Sequence, residues 1–341
     1  MPDDTLPPFI RHLLKPEAYP HAAAGVKLVQ THISYVLLAG DFVYKFKKPV
    51  DFGFLNFTTL EKRRYFCEQE LQLNRRLCPG LYLGLVQIAV ADAGYLLQSA
   101  EEAAGEVVEY GVRMARMPEE RMMANIMKAG QLTGAMVDAI CDTLVPFYEQ
   151  AESGPEIRQF GTAAAVSINV LENFTQSQQF VGAGVLAPPQ FVAIERYARD
   201  FLHNEALFQS RIDQGRIRDC HGDLYSANIC LAEQIYIYDC IEFNQRFRYC
   251  DVASDVAFLL MDLDFHGLEA LGQRFLHRFL EATQDHGLPA MLNFYKCYRA
   301  YVRGKIGLFT AHAPEVDEQT RQQALDLARR YFVLAEQYAT R

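Results

Sequence analysis

The chain changes character at Met114–Pro118, and this change limits the folds open to it. Before that point, apolar runs of strand length are interrupted by one long stretch without Gly or Pro. Val26–Val50 reads as strands, within which Tyr35-Val36-Leu37-Leu38, the turn residues Ala39-Gly40-Asp41, and Phe42-Val43-Tyr44-Lys45-Phe46-Lys47 form a hairpin pattern that Pro49 ends. A helix is expected from the capping residue Thr59 to the stop at Pro79-Gly80, with Phe66, Leu73 and Leu77 partly periodic. Leu81–Val90 and Val107–Met114 read as further strands, and residues 6–14 as a short amphipathic helix. After Pro118 the text is mostly helical to about Gln214, with Gly and Pro breaks near 153–155 and 182–189. The order predicts an α+β chain: a sheet with one helix over 1–114, then a larger helical part over 115–341.

Ile217–Tyr238 interrupts the helical part with strand, polar loop, strand. Ile229-Cys230-Leu231 and Ile235-Tyr236-Ile237-Tyr238 pair as a hairpin across Ala232-Glu233-Gln234. The loop before it holds Asp223 and Asn228, five apart, and the second strand runs out at Asp239. Phosphoryl transfer needs a carboxylate to orient a hydroxyl and accept its proton, and oxygen ligands for Mg²⁺ on the phosphates of ATP. Asp223 suits the first role. Asn228 and Asp239 suit the second, because a hairpin brings their two loops to one edge.

The spacing D-x-x-x-x-N is that of the protein-kinase catalytic loop, with Gly222 in place of Arg. Cys220-His221-Gly222-Asp223 together with Asp239-Cys240-Ile241-Glu242-Phe243 resembles the aminoglycoside phosphotransferase and choline kinase branch of the kinase-like fold. Tyr44–Val50, Leu73-Asn74-Arg75-Arg76-Leu77 and His221–Ile229 extend the resemblance over nearly the whole chain, toward an uncharacterised bacterial group of that branch. It implies a bilobal fold, with an antiparallel-sheet N-lobe that binds ATP and a helical C-lobe. It implies Asp223 as base, Asn228 and Asp239 as Mg²⁺ ligands, and His221 and Asp255 as supports of the loop. Lys45 would contact the phosphates, with Lys47 as the alternative on the same strand face. Glu70 would be its helix partner, with Glu68 as the alternative. The Thr31–Ser34 turn, with Ser34, would cover the phosphates, and Met114 and Met117 would flank adenine at a hinge. Tyr225 stands where the group often has a second His. Relatives in this group often carry an added P-loop domain. No G-x-x-x-x-G-K-[ST] occurs here, so any activity is expected from the kinase-like part alone.

Net charge −9 argues against a broad nucleic-acid footprint. The start, MPDDTLPPFIRHLL, lacks the apolar core of a signal peptide, and the apolar run Val256–Met261 is too short to span a bilayer. Eight cysteines without a C-x-x-C pair fit free thiols in a reducing cytoplasm. The expected partner is a small molecule bearing a hydroxyl; whether there is a protein partner stays open. A nucleotide-binding regulatory module and a protein kinase are the other readings.

Several placements stay open on sequence. Lys45, Lys47 and Lys48 also fit a solvated strand edge. Glu242 either contacts substrate or pairs with Arg246 or Arg248. Asp262 and Asp264 form either an acidic rim or a solvated helix end. Arg299 and Arg303, four apart on one helix face, bind either an anionic substrate group or neighbouring carboxylates.

Overall fold

A computed structural model describes residues 6–92, 94–103, 105–313 and 316–340. The chain divides into two units, Met1–Met122 with Cys230–Gln245, and Met123–Ile229 with Arg246–Arg341.

In the first unit, helix α1 (Pro8–Leu13) precedes strands β1 (Val26–Gln30), β2 (Ser34–Ala39) and β3 (Phe42–Lys47). Helix α2 (Leu60–Asn74) follows, then β4 (Tyr82–Ala91), β5 (Gly94–Ser99) and β6 (Val107–Ala115). The six strands form one antiparallel sheet in the order β1-β2-β3-β6-β4-β5. Ala39 pairs with Phe42 across Gly40-Asp41, as the hairpin pattern predicts. Strand β5 is an addition to the expected set.

Strand β3 lies inside the sheet between β2 and β6, so its lysines are not a solvated edge. Side chains alternate along it. Tyr44 and Phe46 join Ile10, Leu13, Leu37, Ile88 and Leu97 in a core on one face, which leaves Lys45 and Lys47 on the other. Phe46 sits opposite Gly111 of β6. A Cβ there would lie 2.6 Å from the Phe46 ring, so this crossing needs glycine.

Thr59 caps α2 by accepting from the Lys62 amide at 3.3 Å, a device worth about 1 kcal/mol. The buried side of α2 includes Arg63, Cys67, Glu70, Leu71 and Asn74, a helical stripe with three polar members. Arg63 explains one of them: its Nε donates to both oxygens of Glu109 on β6, at 2.7 and 2.9 Å.

The second unit is built on helices α3 (Met123–Lys128), α4 (Gly134–Gln150), α5 (Pro155–Arg158), α6 (Ala163–Ser177), α7 (Pro188–Leu202), α8 (Glu205–Asp213), α9 (Gln245–Arg248), α10 (Val252–Phe265), α11 (Glu269–Thr283), α12 (Leu288–Ala311) and α13 (Glu318–Ala339). Strand β7 (Ile217–Asp219) pairs antiparallel with β10 (Tyr249–Asp251). Between them in sequence, β8 (Ile229–Leu231) and β9 (Ile235–Ile237) form the expected hairpin, which from Cys230 onward belongs to the first unit. Helix α10 is buried from Val252 to Leu263, so Val256–Met261 is the middle of a core helix. Its start is fixed by Asp251, which accepts from the Ala253 amide at 2.9 Å and from Arg211 Nε and Nη2 at 2.8 and 2.7 Å. No helix among the described residues is long and apolar enough to cross a membrane. All eight cysteines are free.

Lys305 on α12 is half-buried and donates to Gln176 Oε1 at 2.6 Å. Burial pulls its pKa down to about 8, against a smaller upward pull from Glu172. The unfolded chain therefore binds more protons than the folded one between about pH 8 and 10.5, and stability should rise with pH across that window. Lys305→Met is expected to abolish this rise and to gain about 2 kcal/mol at neutral pH. Urea unfolding at pH 7 and pH 10 measures both.

Candidate functional site

The predicted residues gather in two groups, one in each unit. In the first unit, Lys45 and Lys47 reach α2 from adjacent same-face positions of β3. Lys45 Nζ lies 2.8 Å from Glu70 Oε1 and 2.6 Å from Asp239 Oδ1. Lys47 Nζ lies 2.7 Å from Glu70 Oε2 and also bonds Glu242 Oε1. Each oxygen of Glu70 thus takes one ammonium. Burial pushes the Glu70 carboxyl up, but the two lysines outweigh it and hold it down at about 2. Burial likewise disfavours the charged form of Lys45, and Asp239 and Glu70 overcome it, holding the ammonium well above its usual range. Glu68 is elsewhere, on an exposed i,i+4 pair with Arg64. Glu242 neither meets Arg246 nor Arg248, which pair with Glu172 and Asp219.

Asp239 follows β9 with φ +62°, a left-handed backbone uncommon for a residue with a side chain. Two bonds hold that turn. The Asp239 amide donates to Tyr82 Oη at 3.3 Å, and the Cys240 amide to Asn74 Oδ1 at 2.9 Å. Asn74 is itself tied to α2, donating to the Glu70 carbonyl at 2.8 Å. Arg75 adds bonds to the carbonyls of Tyr82 and Leu83. The Leu73–Leu77 segment is therefore the clamp that sets Asp239 beside Lys45. The Asp239 side chain is 44% exposed, against 15% for Lys45, so its second oxygen can reach a ligand.

Met114 and Met117 pack with Tyr236 and Tyr238 against a core of Cys67, Leu71, Cys78, Leu81, Tyr82 and Val112. Ser34 opens β2 after the Thr31 turn, where Thr31 Oγ1 accepts from the Ile33 and Ser34 amides at 3.2 and 2.9 Å. The Ser34 hydroxyl is buried without a partner in the structure.

In the second unit the loop after β7 is held from α10 and α12. Gly222 has φ +86°, which explains glycine where the protein-kinase loop has arginine. The amides of His221 and Gly222 both donate to the Asp255 carboxylate, at 2.7 and 2.9 Å, and Tyr148 Oη reaches it at 3.3 Å. Seven residues along α10, Asp262 accepts from the Ser226 amide at 3.0 Å. From α12, Arg299 Nη1 donates to the Gly222 carbonyl at 2.9 Å. His221 is fully buried, and its Nδ1 accepts from the Asp223 amide at 3.2 Å, which places the imidazole proton on Nε2. Asn228 Nδ2 donates to the carbonyl and to Oδ2 of Asp223, both at 2.9 Å. Its amide oxygen is thereby left available.

Arg299 and Asp262 are thus loop supports. Asp264 is neither rim nor solvated helix end: it takes Lys296 at 2.9 Å and Tyr338 at 2.5 Å. Sequence reasoning did not reach Tyr82, Tyr148 or the part played by Asn74. Their signal is a polar atom aimed at a backbone amide far along the chain, which no local pattern encodes.

Among the described residues no three His, Cys, Asp or Glu side chains gather as a metal cage. The donors on offer are oxygens, one carboxylate at Asp239 and one amide at Asn228. Each is an oxygen of the kind a hard cation takes, the first in the first unit and the second in the second.

No protein-family model matches the chain. Uncharacterized proteins of Mycobacterium tuberculosis and Mycobacterium bovis are 33% identical over 279 residues, which covers 81% of this chain and 53% of theirs. The chain spans about half the length of the curated relatives it matches. The solved structure of an amicoumacin kinase in complex with AMP-PNP, Ca²⁺ and Ami matches 95% of this chain and 92% of its own, with TM-score 0.51 and 12% identity. A choline/ethanolamine kinase family protein from Mesorhizobium loti matches 96% and 99%, with TM-score 0.45 and 12% identity. The chain shares the kinase-like α+β fold of that amicoumacin kinase. At such identity the likeness carries the fold alone.

Proposed function

We propose that this protein is an ATP- and Mg²⁺-dependent phosphotransferase that moves the γ-phosphate to a hydroxyl of a small molecule. The observation that carries the reading is Lys45, held between Glu70 and an exposed, left-handed Asp239. Two lysines and three carboxylates meet there, leaving one carboxylate in excess for a cation. In this reading Lys45 turns to the phosphates when a nucleotide enters, while Glu70 keeps it charged and aimed. Asp239 and Asn228 hold the Mg²⁺, which supplies charge neutralisation on the phosphates. Ser34 and its turn lie over the phosphates, and Met114 and Met117 flank the base. The amicoumacin kinase was captured with AMP-PNP and Ca²⁺.

Asp223 accepts the proton of the acceptor hydroxyl as the new O–P bond forms. The bond from the γ-phosphorus to the bridging oxygen breaks, and ADP leaves. The bond from Asn228 Nδ2 to Asp223 Oδ2 fixes that carboxylate in one rotamer, and His221 fixes its backbone. Placement in the reducing cytoplasm agrees with eight free thiols.

The test is ADP formation by purified protein with Mg²⁺ and ATP against a panel of small hydroxyl compounds. Acceptor-dependent ADP release is expected; ATP binding without any acceptor turnover would instead make the chain a regulatory module. Asp239→Ala is expected to remove the thermal stabilisation given by Mg²⁺ and ATP. An unchanged melting shift in that variant would remove Asp239 from the metal site.

A further inference from the structure

The buried arginines of the second unit are satisfied by oxygen atoms. Arg211 is held by Asp251 and Asp285, Arg248 by Asp219, and Arg299 by Gly222 and Ser254. Arg303 differs. It sits one turn beyond Arg299 on α12, half-buried, and its Nε is buried without an acceptor. No carboxylate among the described residues forms an ion pair with it. Its guanidinium lies over two rings, Tyr225 at 4.7 Å and Tyr331 at 5.8 Å.

The Tyr225 ring is fixed in turn, parallel to Phe258 with centroids 5.2 Å apart. Tyr225 is two residues past Asp223, and Phe258 is one turn past Asp255 on α10. The stack therefore holds a fork of N–H donors beside the loop that carries the carboxylate assigned as base. A guanidinium taken partly out of water with no anion is costly, and its planar fork matches carboxylate and phosphate oxygens.

We propose that Arg303 binds an oxyanion of the acceptor, so that the acceptor is a hydroxy compound carrying a carboxylate or a phosphate. This rests on Asp223 being the base of the reaction above. Tyr225 then serves as the plate that orients Arg303.

The experiment is calorimetric titration of the full chain with glycolate, glycerol 3-phosphate and ethanolamine. At least one of the two anions should bind more tightly than ethanolamine, and which one does separates a carboxylate from a phosphate site. Its affinity should fall at least tenfold in Arg303→Gln and by a smaller factor in Arg303→Lys. Circular dichroism establishes that each variant is folded; should the Gln variant fail, the Lys variant alone must still weaken the anion by threefold or more. Preference for ethanolamine, no anion binding, or equal anion affinity in the variants overturns the proposal. ADP formation with a cationic acceptor would sink this inference and leave the phosphotransferase reading standing. Arg303-dependent anion binding without ADP formation would do the reverse.

Discussion

Asp223→Ala is expected to lower acceptor-dependent turnover by about 10²–10⁴-fold, the range lost with a positioned general base. The Michaelis constant for ATP should stay within about twofold, since this account gives Asp223 no contact with the nucleotide. The reason lies in how little else the loop offers. His221 is buried and occupied with the Asp223 amide, and Asn228 donates to Asp223 instead of accepting. No second group in the loop is placed to take the proton. Steady-state ADP release, read for wild type and variant at saturating acceptor, measures the loss.

Asp255→Ala is expected to be the most damaging change outside the reacting groups, at about 3–5 kcal/mol of stability. It strands the His221 and Gly222 amides and the Tyr148 hydroxyl in a buried place. It also removes the carboxylate 3.8 Å from Arg299, leaving that guanidinium with neutral partners only. A drop of this size should lower the melting temperature by roughly 6–15 °C in a chain of this length. Chemical unfolding of the variant reads it directly. A loss under about 1 kcal/mol would mean that the loop holds its shape without α10.

The α+β class and most elements of the first unit are legible in the sequence because their signals are local. Gly40-Asp41 marks the β2–β3 turn, Thr59 marks the start of α2, and Ala232-Glu233-Gln234 separates the two strands of the later hairpin. Strand β5 is hidden because Gly94–Ser99 is short, lies at the sheet edge and lacks clean alternation. The insertion of β6 between β3 and β4 is a long-range pairing that no window of sequence contains.

Within the candidate site, residue types were legible and partners were not. The apolar pattern of α2 points to Phe66, Leu73 and Leu77, yet its buried side also carries Arg63, Glu70 and Asn74. Their burial is tolerable only because Glu109, the two lysines and the Cys240 amide meet them from distant parts of the chain. The same holds for Glu242, whose partner Lys47 is 195 residues away. Arg299 and Arg303 look alike as an i,i+4 pair. What separates them is the Gly222 carbonyl, which one meets and the other does not.

The central claim is the transfer itself. Wild-type protein, Mg²⁺, ATP labelled at the γ-phosphate and a protein-free extract of small metabolites should yield label in an organic phosphate monoester, and Asp223→Ala should yield it about a hundredfold more slowly or less. Label appearing only as inorganic phosphate, at the same rate with wild type and Asp223→Ala, would contradict the account.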